Sequence, residues 1–159
     1  MCGNCIGELD AQSQQSRCWV FDRQHVDSRV HAFLSDGNVM KDLGTLAPNS
    51  SNRLEDQSFA LGVNSADQVV GYTYLPGPNA NTDPAIQRGT SPVSQVAFVW
   101  SQGVMKDLNT LIGSAAEKYQ LNSAIAINDN GQIVASALSK VTGTRRAVLL
   151  KPIGLLPSR

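Results

Sequence analysis

The stretch VMKDLGTL, Val39 to Leu46, returns as VMKDLNTL, Val104 to Leu111, with only Gly44 changed to Asn109. The echo is longer than those eight letters. HAFLSDGNVMKDLGTL, starting at His31, aligns with VAFVWSQGVMKDLNTL, starting at Val96. SFALGVNSADQVVGYTY, Ser58 to Tyr74, aligns with NSAIAINDNGQIVASAL, Asn122 to Leu138. A third start, RAVLLKP, runs from Arg146 to Pro152. The copies lie about 65 residues apart, a period that signals a repeat architecture, propellers included.

Each copy reads as four short strands, with apolar letters alternating at a period near two. The first strand is Ala32–Ser35 or Ala97–Trp100, and the second is Val39–Leu43 or Val104–Leu108. The third is Phe59–Val63 or Ala124–Ile127, and the fourth is Gln68–Tyr74 or Gln132–Leu138. Helical spacing is absent apart from a turn expected near Ser114–Tyr119. CWVFD, Cys18 to Asp22, reads as the last strand of a preceding unit, and Ala147–Leu150 as the first of a following one.

One domain of all-β class follows: a flexible segment at 1–17, unit one at 31–74, a Pro-rich loop at 75–95, unit two at 96–138, and a third start at 146–152. Ten strands in four-stranded antiparallel units make about two and a half blades of a propeller-like ring. A closed ring needs four to eight blades, so the reading requires a homo-oligomer or a larger repeat assembly. A β-sandwich is the alternative.

Positions that differ between copies are informative. Gly44 becomes Asn109 and Asp67 becomes Gly131, swaps among residues that tolerate a left-handed backbone. Positive φ is therefore expected at all four. Asn128-Asp129-Asn130-Gly131 reads as a hairpin turn; one carboxylate is too few for a calcium loop.

These blocks resemble the HAF-repeat family of bacterial extracellular proteins, named for the His-Ala-Phe that opens each unit, here His31-Ala32-Phe33. The resemblance runs from about Val30 to Lys151. It implies a propeller-type or related β-repeat protein outside the cell or at its surface, with no catalytic chemistry to carry over. Departures are Val96 for His31, Asn109 for Gly44, Ala135 for Gly71, and Arg146-Ala147-Val148 in the third start.

Charge excludes some partners. Lys and Arg balance Asp and Glu at a formal net charge of zero, so no field draws nucleic acid or anionic lipid. No apolar run approaches the ~20 residues of a membrane helix, and no signal-peptide core is visible at the N-terminus.

Several candidate sites stand out. Cys2, Cys5, Cys18 and His25 have ligand types suited to a structural zinc, set against a disulfide or a plain tail of thiols. Tyr72 and Tyr74, with Asn79 and Asp83 in the Pro-rich loop, form the expected ligand surface for a glycan or protein. His31 has no partner specified by spacing and reads as a surface or packing residue. Asp42 and Asp107 read as openers of their turns by bonding to the backbone. Lys41 and Asp42, being adjacent on a strand, face opposite sides. Arg145, Arg146, Lys151 and Arg159 read as a solvated basic tail.

The leading function is a non-enzymatic binding or scaffold module. The alternative is a polysaccharide-acting enzyme with two carboxylates about 5–10 Å apart, drawn from Asp36, Asp42, Asp56 and Asp107.

Overall fold

Among the described residues there are ten strands, nine of them where the alternating pattern places one. They are β1 (Cys5–Glu8), β2 (Ala32–Ser35), β3 (Met40–Asp42), β4 (Ser58–Val63), β5 (Val69–Pro76), β6 (Val93–Ser101), β7 (Val104–Asp107), β8 (Tyr119–Ile127), β9 (Ile133–Ser139) and β10 (Arg145–Leu150). A 3-10 turn (Leu108–Thr110) and one helical turn, α1 (Ala115–Lys118), lie between β7 and β8. The helical turn is where the sequence places one. The computed structural model describes residues 30–48, 50, 55–76 and 93–153, and the backbone of residues 5–8. The expected strand at Cys18–Asp22 lies outside the described residues.

The strands form three antiparallel sheets, ordered β1-β2-β3, β4-β5-β6-β7 and β8-β9-β10. All-β class is thus observed, but the sheet is not the sequence unit. Each copy of the repeat is split: its first two strands end one sheet and its last two begin the next. The middle sheet takes β4 and β5 from the first copy and β6 and β7 from the second. The reason is the β5–β6 ladder, which runs unbroken from Val69↔Trp100 to Pro76↔Val93, across the boundary between copies. This ladder also absorbs both ends of the expected Pro-rich loop.

The first sheet contains a strand, β1, within the segment 1–17 that is expected to be flexible. Cys5 opposes Ser35 in β1–β2 as Val69 opposes Trp100 in β5–β6 and Ile133 opposes Leu150 in β9–β10. CIGE therefore takes the register of VVGY and IVAS.

Burial ranks the sheets. Val69, Phe98 and Trp100 of the middle sheet pack with Ala32 and Leu43 of the first-sheet region. On the other face, Val70 and Ala97 pack with Leu121, Ala124, Ile133, Ala135 and Ala137 from the third sheet and its approach. Neighbours on one strand point opposite ways, so β5 buries both Val69 and Val70. Strand β9, covered on one face, alternates buried Ile133, Ala135 and Ala137 with less buried residues between them.

One pairing recurs across the sheets. Phe33 faces Gly7, Phe98 faces Gly71, and the smaller Val148 faces Ala135. At Gly71 a methyl is excluded by the Phe59 carbonyl of β4, the strand on the other side of β5 from Phe98. The departures at Ala135 and Val148 oppose each other across one ladder.

The turns meet as well. Asn64 Nδ2 donates to the Asn128 carbonyl at 3.0 Å, and Ser65 N–H donates to Asp129 Oδ1 at 2.9 Å, each pair 64 residues apart. Equivalent turns of successive copies bond to one another. Among the described residues, no helix is long and apolar enough to cross a membrane.

Candidate functional site

Three polar side chains converge where the first sheet meets the middle one. The β2–β3 hairpin pairs Phe33 with Asp42, so His31, two residues before Phe33, is the diagonal neighbour of Asp42 on the same face. His31 Nδ1 lies 3.0 Å from Asp42 Oδ2. Its Nε2 lies 3.2 Å from Oδ1 of Asp56, a carboxylate only 3% exposed in the segment leading into β4. Thr45 Oγ1 donates to that same Asp56 oxygen at 3.3 Å. Glu55 is also buried and accepts from the Ser50 hydroxyl at 2.7 Å.

Both ring nitrogens of His31 therefore touch carboxylate oxygens. A neutral imidazole has one donor and one acceptor nitrogen, whereas imidazolium donates from both. Partial burial works against the charged ring, but the bonds and charges of Asp42, and then those of Asp56, outweigh it and raise the pKa above 6.5. At Asp42, desolvation opposes ionisation, but His31 and the Gly44 N–H lower its pKa below the ordinary value.

Beneath this cluster Ser58, fully buried at the start of β4, ties three backbone groups. Its N–H donates to the Val30 carbonyl, its hydroxyl donates to the Gly44 carbonyl at 2.6 Å, and its Oγ accepts from Ala32 N–H at 3.0 Å. This junction has a counterpart in the second copy, built differently. There Asn109 Oδ1 accepts from Leu121 N–H at 2.7 Å, and Asn109 Nδ2 donates to the Leu121 carbonyl at 3.0 Å.

Asn109 corrects an expectation. Gly44 has φ +69°, and Asp67 and Gly131 are also left-handed, at 56° and 71°. Asn109 is not: it sits inside the 3-10 turn. Its side chain clamps Leu121 instead. The expected roles of Asp42 and Asp107 are observed, with Gly44 N–H and Asn109 N–H donating to them at 2.7 and 2.8 Å. Lys41 and Asp42 do part: Lys41 Nζ lies 4.8 Å from the centre of the Trp100 ring, while Asp42 turns to His31.

The four carboxylates weighed for catalysis are distributed unequally. Asp36 caps its own hairpin, accepting from Val39 and Asn38 N–H, which lowers its pKa. Asp107 opens the 3-10 turn. Asp42 and Asp56 do come together, but the imidazole of His31 fills the space between them. A sugar oxygen and a water would need that space.

Of the expected ligand surface, Tyr72 and Tyr74 share one face of β5 and meet Phe59 of β4. Phe59 stacks on Tyr72 with centroids 4.8 Å apart, and Tyr74 stands edge-on to both rings. Tyr74 is buried, while Tyr72 and Phe59 are half-buried. Asn79 and Asp83 lie outside the described residues, as do Cys2, Cys18 and His25, and only the backbone of Cys5 is described. Among the described residues no group of three or more His, Cys, Asp or Glu is arranged to hold a metal ion.

The Asn128–Gly131 turn is the expected hairpin. Asn128 Oδ1 accepts from Asn130 and Gln132 N–H, and Gly131 N–H donates to the Asn128 carbonyl. Asp129 points to the neighbouring turn; Ser65 N–H, donating to it, lowers its pKa.

Compared with protein-family models, curated proteins and solved structures, the chain matches none.

Proposed function

We propose that this chain is a non-enzymatic repeat module, a scaffold or binding protein whose working unit is a propeller-like stack of sheets, placed outside the cell or at its surface as the HAF-repeat resemblance implies. One observation carries the reading. Val70 is fully buried and Val99 partly buried where the middle sheet meets the third. By ladder register, Val134 and Leu149 hold the same places in the third sheet, facing each other across β9 and β10. Yet they are 39% and 54% exposed, and Ile125 nearby is exposed too. The third sheet thus presents the kind of face that the middle sheet uses to receive a neighbour. A further sheet, from another copy or a longer repeat array, fits there.

Light scattering across a concentration series tests this. The expected result is a mass above 17.0 kDa that rises with concentration and is abolished in Leu149→Lys. A 17.0 kDa particle at every concentration, unchanged by the substitution, would overturn assembly through this face. For binding, the half-buried Phe59–Tyr72 stack is an accessible aromatic surface among the described residues, and glycan-array signal lost in Tyr72→Ala but kept in Leu149→Lys would assign it.

A further inference from the structure

We propose that His31 is a pH-sensitive latch that fastens the first sheet to the entrance of the middle sheet and loosens when its ring loses a proton. Each ring nitrogen meets a carboxylate oxygen, so both contacts are favourable with the carboxylates ionised only when both nitrogens carry a proton. Among the described residues, the charged groups facing the ring are Asp42, at the end of β3, and Asp56, before β4. The neighbouring Glu55 carboxylate is engaged by the Ser50 hydroxyl. Removing the ring proton turns one nitrogen's lone pair toward a carboxylate oxygen. Attraction becomes repulsion at that contact, and Asp56, being buried, gains least relief from water.

The latch spans two sheets, above the bonds that Ser58 makes between them. His31 precedes β2, Asp42 ends β3, and Asp56 leads into β4, the first strand of the next sheet. The second junction has Val96 in place of His31 and an amide, Asn109, for its clamp, and neither group titrates. Among the described residues, the histidine response is therefore confined to the first junction.

Direction follows from the folded pKa lying above the unfolded value of about 6.5. The histidine's contribution is complete below pH ~6.5 and is lost as pH rises through the folded pKa. Asp42, with a lowered pKa, contributes above pH ~4 and fails as pH falls through its folded value. The latch is tightest between these limits.

Native-state amide exchange from pH 5.5 to 8.5, corrected for intrinsic base catalysis, tests it on the full chain. The amides of Leu34 and Leu43 should lose protection several-fold relative to those of Ala135 and Ala137. His31→Gln should flatten that difference across the range. Equal loss in both sheets, or an unchanged pH profile in His31→Gln, would overturn the proposal. If His31→Gln does not fold, the wild-type chain still decides: a His31 ring that titrates at or below the free value by NMR overturns it, and one that titrates above supports it.

Discussion

The two junctions between sheets hold equivalent strands by unlike chemistry. At the first, a serine under a glycine turn collects three backbone groups, and a histidine between two aspartates closes over them. At the second, one asparagine grips both the N–H and the carbonyl of Leu121. The serine's counterpart there is Asn122, whose Nδ2 donates to the Gln95 carbonyl at 3.3 Å while its buried Oδ1 has no partner among the described residues. A repeated backbone path does not require a repeated bonding scheme. It requires that each buried N–H and carbonyl find some partner, and the copies have found different ones.

Swapping letters between the copies separates path from chemistry. The largest effect should come at the glycine of the middle sheet. A methyl added to Gly71 runs into the carbonyl oxygen of Phe59 on the adjoining strand. Gly71→Ala should cost about 3 kcal/mol or more in urea unfolding. The reverse change, Ala135→Gly, should cost about 1 kcal/mol, the entropic and burial loss of one methyl. Similar costs for the two would show that the approach of the Phe59 carbonyl does not govern the residue at Gly71.

Next comes the turn. Asn109→Gly installs the first copy's residue but releases both backbone groups of the buried Leu121, an expected loss of about 2–3 kcal/mol. Gly44→Asn, at φ +69° with open space around it, should cost under about 1 kcal/mol in the same assay. If the two substitutions were equally mild, the clamp on Leu121 would carry no energy.

The smallest effect is expected at Asn122. Asn122→Ser removes a buried, unpartnered oxygen and places the first junction's residue in the second. A gain of about 0.5–1 kcal/mol, or a rise of roughly 2 °C in Tm, is expected by calorimetry. A loss would mean that the bond from Nδ2 to Gln95 outweighs the stranded oxygen.

Much of the fold was legible because alternation and turn letters report local backbone. The strands from Ala32 onward, the helical turn near Ala115, and the hairpin at Asn128 all followed from them. The division into sheets did not, since adjacent strands of one copy and of neighbouring copies look alike in sequence. Only the continuous β5–β6 ladder decides between them. At the site, the Asp42 contact was within reach: a tight β2–β3 hairpin makes residues 31 and 42 diagonal neighbours. Asp56 was not, because it arrives from a segment with no periodic register to locate it. Asn109 misled for a physical reason: asparagine suits a left-handed turn and also grips a backbone through its amide, and the letter does not say which.

The offset between copy and sheet has a mechanical consequence. Cleave the chain between β5 and β6, the seam where one copy gives way to the next, and neither product is a finished body. One fragment ends in β5 and the other begins with β6, each with the bare edge that the other was made to cover. The copies are bound less like beads on a thread than like the halves of a zip, closed along the β5–β6 ladder.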